Sequence, residues 1–152
     1  MPSKAEMEPQ RLQRALEKGV RNGMNKVALS LQKRIRKMLS KKGRGKLRWD
    51  GHAPSLPGDP PALDTGNLRN SWQAAAFRGP AKSGAEMKLA FGPRVGSAAR
   101  YGWILEKGYP PNNLEPRPYI KPSIEMLRRG NRAQRIFNNQ LRRAIAEANK
   151  QV

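Results

Sequence analysis

The residues able to do chemistry are few. His52 is the only imidazole in 152 residues, and there is no cysteine. His52 lies in the run GHAPSLPGDPP, with no acid or nucleophile at a spacing that would make it a general base. One histidine and no cysteine cannot assemble the usual zinc ligand sets. Asp59 and Asp64 are close in sequence, but one lies in a loop and the other at a turn, the positions of turn and capping residues rather than of an acid/base pair. Ser71 has no histidine partner. The string GRGK at 43–46 lacks the spacing of a phosphate-binding loop and follows a helical pattern rather than a strand. Gly66 precedes a short helix, where an anion can bind, but Asp64 beside it argues against one. The expectation is a protein that is not an enzyme and carries no metal or cofactor. A small basic nuclease acting through Arg, Lys and Tyr is the remaining catalytic alternative.

Charge gives a stronger signal. The chain carries 31 Lys+Arg against 11 Asp+Glu, a formal net charge of +20. An excess of this size repels itself and attracts polyanions. The densest stretch is QKRIRKMLSKKGRGKLR. It contains Arg34, Arg36, Lys37, Lys41, Lys42, Arg44, Lys46 and Arg48, with Trp49 directly after them. These eight residues are the candidate DNA-facing set, binding a phosphate backbone through counterion release and without sequence readout. Trp49 is placed either to stack on a base or to pack. No apolar run approaches the length of a membrane span, and the first residues lack the apolar stretch of a secretory signal. A cytoplasmic site of synthesis and no membrane partner are expected.

The elements that would position these residues follow from periodicity. Leu12, Leu16, Val20, Met24, Val27, Leu31, Ile35 and Met38 recur every three or four residues, the stripe of a long amphipathic helix over 1–40. Gly19 and Gly23, one turn apart within it, mark a close helix contact, a bend or simply tolerated surface positions. Residues 41–63 read as a mobile basic loop followed by a proline-rich connection. Residues 64–121 read as short helices and a β-hairpin. Asp64 or Thr65 caps a helix over about 66–72, on which Leu68 and Trp72 share a face. QAAAF pairs with EMKLAFG, where Met87, Leu89 and Phe91 alternate with polar or small residues. Tyr101, Ile104 and Leu105 form a helical face ending at Gly108. Arg117 is held extended between prolines, and Pro122 opens a C-terminal helix over 122–149 with a weak point at Gly130. The predicted class is α+β in a single domain of 1–152, with long terminal helices packed on a small antiparallel sheet beside a short central helix.

Three segments in order, LDTGNLRNSW, YGWILEKGYP and PRPYIKPSIE, together resemble the neck and tail-completion family of lambda-like tailed bacteriophages, its minor tail components. The first carries Thr65, Gly66, Leu68, Arg69 and Ser71, the second Tyr101, Leu105, Glu106 and Gly108, and the third Arg117, Pro118, Tyr119, Ile120 and Pro122. The chain has Gly102 and Tyr109 where the family often has Ala and Thr. The resemblance implies a structural virion protein that forms a ring, a hexamer in the family, between the head connector and the tail tube or tail terminator, with DNA in the channel. The residue types themselves suggest pairing of Arg69 with Glu106, reach of Arg117 to a neighbouring subunit, and seating of the last helix by Tyr119 and Ile120, with local packing as the alternative for each. The alternative is a stand-alone, non-sequence-specific nucleic-acid-binding protein.

Overall fold

The computed structural model describes residues 9–74, 91–93 and 97–150. The first helix, α1, runs over Pro9–Met38 and is 30 residues long. In its first half the buried line is Ala15, Gly19 and Gly23, whereas Leu12 and Leu16 are each 38% exposed. The predicted leucine stripe is therefore displaced here by a seam of small residues. The reason lies in the last helix, α5 (Arg132–Asn149), which makes the largest helix contact with α1. A Cβ built on Gly19 would lie 2.9 Å from Leu141 Cδ1 and 3.1 Å from its Cα; one on Gly23 would lie 2.6 Å from Phe137 Cδ2. Residue numbers rise on one helix as they fall on the other, so the two are antiparallel. Lys18 Nζ reaches Glu147 Oε2 at 2.8 Å along the same seam. The glycines are thus close-contact positions, and their cost of about 1 kcal/mol each in helix propensity is offset by packing.

In its second half α1 buries larger side chains. Leu31 and Ile35, with Leu39 just beyond, form the core with Trp72, Leu105, Tyr119 and Leu127. Leu105 belongs to α3 (Ser97–Lys107) and Leu127 to α4 (Ile120–Arg128). After α1 come the basic and proline-rich residues 41–63. They are tied down rather than free. Gly45 N–H donates to Pro54 O at 2.8 Å, Arg48 N–H to His52 O at 3.0 Å, and Leu63 N–H to Lys41 O at 2.8 Å. Asp50 Oδ1 accepts from His52 N at 2.9 Å. A methyl on Gly43 would overlap the Ala53 and Pro54 carbonyls. The basic stretch therefore doubles back on the prolines as a narrow finger held by these backbone bonds.

The α+β class is also corrected. Strands β1 (Trp72–Ala74) and β2 (Phe91–Pro93) are three residues each and pair antiparallel, with Trp72 opposite Pro93 and Ala74 opposite Phe91. Pro93 has no N–H to donate at the Trp72 end of the ladder. Among the described residues such a ladder is no layer on which helices pack; the described chain is mainly helical, and its core is built from helices with Trp72 of β1 set among them. Met87 and Leu89 of the anticipated hairpin lie outside the described residues.

The single C-terminal helix predicted over 122–149 is two helices. It begins earlier, at Ile120, with Pro122 in its first turn, where a missing N–H costs nothing. It breaks at a 3-10 turn, Arg129–Asn131, where Gly130 (φ 61°) and Asn131 (φ 53°) are both left-handed. Two successive left-handed residues end α4 and redirect the chain into α5.

Candidate functional site

The segments LDTGNLRNSW, YGWILEKG and PRPYIKP come together in one junction. The short helix α2 (Asn67–Ser71) is preceded by Gly66 at φ 79°. The predicted cap by Asp64 or Thr65 is not made in the usual way. Gly66 holds the N-cap position without a side-chain cap bond, and Thr65 Oγ1 only accepts a long 3.4 Å bond from Asn67 N. Ser71 Oγ donates to Leu68 O at 2.7 Å, closing the helix. The Trp72 carbonyl then accepts from Gln32 Nε2 at 2.8 Å and Arg36 Nη2 at 2.9 Å, anchoring the junction to α1.

Helix α3 meets α2 through Gly102. A Cβ there would lie 2.7 Å from Tyr119 Oη and 2.8 Å from Leu68 Cδ1. Glycine at this position is what lets Leu68 and Tyr119 close on the helix. The buried Trp72 ring meets the Tyr119 ring edge-on, with centroids 5.9 Å apart, a favourable aromatic geometry. Tyr119 is fully buried, and among the described residues its hydroxyl and the Trp72 indole N–H have no hydrogen-bond partner. Burial pushes the Tyr119 hydroxyl up to about 12; the nearby Trp72 N–H opposes that shift and the Glu106 carboxylate adds to it.

Glu106 has a different role from the one predicted. It does not pair with Arg69. Its Oε2 accepts from Tyr119 N at 2.7 Å and Ile120 N at 2.9 Å, and its Oε1 accepts from Lys121 N at 2.9 Å. One carboxylate from α3 thus satisfies three amides at the start of α4, a helix with no capping side chain of its own. Arg69 instead bonds its neighbour, Asn70 Oδ1, at 3.2 Å. Glu106 as a remote cap could not be read from spacing alone; the only hint is the absence of a Ser, Thr, Asp or Asn before Ile120.

Between α3 and α4 the chain makes a tight loop. Gly108 (φ 81°) lies against Leu114 O, and Tyr109 and Leu114 exchange backbone bonds of 2.8 and 3.2 Å. Arg117 then donates its backbone N–H to Leu105 O at 2.7 Å. Its side chain turns inward, with Nη2 on Ser55 O at 3.3 Å and Nε buried without a partner. Within the chain, then, the guanidinium has a backbone carbonyl as its partner. Pro118 is half-buried, and Ile120 packs beside the core.

These segments line a half-open cleft of about 680 Å³. Thr65, Gly66, Leu68, Arg69, Tyr101, Leu105 and Arg117, half of the motif residues, lie on its wall. Among the described residues, no group of His, Cys, Asp and Glu could hold a metal ion, and no helix is long and apolar enough to cross a membrane.

The basic set divides. Arg36 is used inside the fold, on the Trp72 carbonyl. Arg34 Nη1 contacts Met126 Sδ at 3.5 Å. Arg44 forks onto Asp59 with bonds of 2.7–3.0 Å, and this guanidinium holds the Asp59 carboxyl below its ordinary value. Lys37, Lys41, Lys42, Lys46 and Arg48 are exposed. Near the tip of the finger, Leu47 is 66% and Trp49 98% exposed, so the Trp49 ring is open to solvent. The chain matches no family model, no curated protein and no solved structure.

Proposed function

We propose that the chain is a non-enzymatic structural subunit of the neck or tail-completion region of a tailed bacteriophage, forming a ring that joins the head connector to the tail tube, with its basic surface toward DNA. The observation that carries this reading is the convergence of the three motif segments. Leu68 closes on Gly102, Glu106 caps residues 119–121, and Trp72 meets Tyr119. Residues spread over more than fifty positions pack as one unit, which supports reading the three segments together. Exposed apolar residues such as Leu12, Leu16 and Trp103 are suited to burial against neighbouring subunits. The exposed lysines and Arg48 provide the cationic face.

Light scattering on purified protein, negative-stain images of assemblies, and a search for the protein in virions form the test. A closed ring present in particles is expected; a strict monomer absent from virions refutes the reading. The DNA face is tested separately. Replacing Lys41, Lys42, Lys46 and Arg48 by Ala should lower the salt slope of duplex binding by about 3–4, since each phosphate contact contributes roughly 0.9. The fully exposed Trp49 favours one second reading, a stand-alone binder of nucleic acid. That reading predicts the same salt dependence from a protein that never assembles.

A further inference from the structure

The cleft at the motif junction holds a charge that the fold leaves unanswered. Arg117 is half-buried, and among the described residues its Nε has no partner and its side chain bonds only the Ser55 carbonyl, at 3.3 Å. Among the described residues no carboxylate forms an ion pair with it. Glu106 spends both oxygens on the α4 amides, and Asp59 is held by Arg44. A guanidinium taken partly out of water without an anion is costly unless something supplies one. Two further arginines, Arg48 and Arg69, line the same cleft, against a single acid, Asp64. The rest of the wall is mixed, with half-buried Leu63, Leu68 and Leu114 beside Pro54, Ala62 and the polar Ser55, Thr65 and Asn67.

We propose that this cleft is a carboxylate-binding site that takes an acidic side chain carried on an apolar stretch of a partner protein. The planar guanidinium matches a carboxylate in fork geometry. The leucine wall matches the residues flanking that acid. The volume falls in the range of about 300–1,000 Å³ typical of sites that enclose a ligand. A phosphate backbone fits less well, because it would bring a hydrated, wholly polar surface against Leu63, Leu68 and Leu114. A second copy of the chain is a poor source, since a chain of +20 offers few acids. The site stands whether or not the chain forms a ring.

The probe is 4-phenylbutyrate, a carboxylate on an apolar stem, titrated by calorimetry into the full chain beside its uncharged amide, inorganic phosphate and a short DNA duplex. The acid should bind saturably and about ten-fold more tightly than the amide, the difference expected for one charge-assisted contact. Arg117→Gln should erase that ten-fold preference while circular dichroism keeps the helical signal. Arg69→Gln and Arg117→Lys, which keep the buried packing closer to native, should each reduce it if Arg117→Gln does not fold. Equal binding of acid and amide overturns the proposal, as does an acid preference unchanged in all these variants. Phosphate or duplex binding that outcompetes the acid and is lost in Arg117→Gln would assign the site to nucleic acid instead. Ring assembly, read separately by light scattering, bears on none of these outcomes.

Discussion

Replacing Glu106 tests the junction most directly. Its carboxylate accepts three backbone bonds of 2.7–2.9 Å at the start of α4. Hydrogen bonds to a charged group contribute about 1.5–3 kcal/mol each by mutation. The three are not additive, because one side chain makes them all. Lys121 is exposed, so water can replace its bond; Tyr119 is fully buried and Ile120 half-buried, so their amides would be left dry. Two dry amides and the lost interaction with the helix dipole give about 3 kcal/mol for Glu106→Ala. Glu106→Gln keeps an accepting oxygen and loses the charge, for roughly half of that. For a chain of this length 3 kcal/mol corresponds to about 6–12 °C in Tm. Urea unfolding followed by far-UV circular dichroism measures both, with an unchanged m-value as the check that only stability has moved. Glu115→Gln, at an exposed position without a capping role, is the control. If Glu106→Gln and Glu115→Gln both fall within about 0.5 kcal/mol of the parent, the remote cap does not hold α4 and the reasoning fails.

Three further outcomes follow from the packing. Tyr119 has a folded pKa of about 12 against 10.0 in the free side chain, so its neutral form is favoured by folding; the contribution is complete below pH 10 and disappears as pH rises through 12, by up to roughly 2–3 kcal/mol. Tyr119→Phe should remove that alkaline step and be neutral or stabilising at pH 7, because it deletes a buried hydroxyl without a partner; a loss above about 1 kcal/mol at pH 7 would show that the hydroxyl is bonded. Gly23→Val places two methyls where Phe137 already lies and should cost about 2–3 kcal/mol despite the helix-propensity gain, read by urea unfolding; a stabilised variant would contradict the close α1–α5 seam. Gly43→Ala cannot be accommodated against the Ala53 and Pro54 carbonyls, so it should open the finger and raise the rate of proteolysis between residues 43 and 54; unchanged cleavage would mean that the finger is not held by that contact.

How much of this was legible depended on whether the cause was local. The helical span of α1 follows from spacing every three or four residues, and the end of α3 at Gly108 from a glycine at φ 81°. The buried face of α1 was misread in its first half, because hydrophobicity selects Leu12 and Leu16 while close approach of α5 selects Ala15, Gly19 and Gly23. The sheet was overestimated because alternation in a short run shows only that a strand is compatible, and three paired residues are all that form among those described. The break at Gly130 and Asn131 was half-visible, since glycine marks weakness but nothing in the sequence dictates a left-handed asparagine after it. In the candidate site, the three motif segments were identifiable, but their chemistry was not. Glu106 as a cap for α4 and Arg117 turned onto Ser55 depend on contacts across 13 and 62 positions. No periodicity encodes such contacts.

The three tryptophans occupy three different solvents. Trp72 is 4% exposed in the core, Trp103 is 56% exposed with the Lys107 ammonium 4.6 Å from its ring centre, and Trp49 is 98% exposed. The chain therefore carries a blue-shifted, an intermediate and a red-shifted emitter in one molecule. Iodide, concentrated by the positive surface, will extinguish the red component first. Whatever covers the finger will shield that component alone, so the emission spectrum reports occupancy of the most basic part of the molecule without any label.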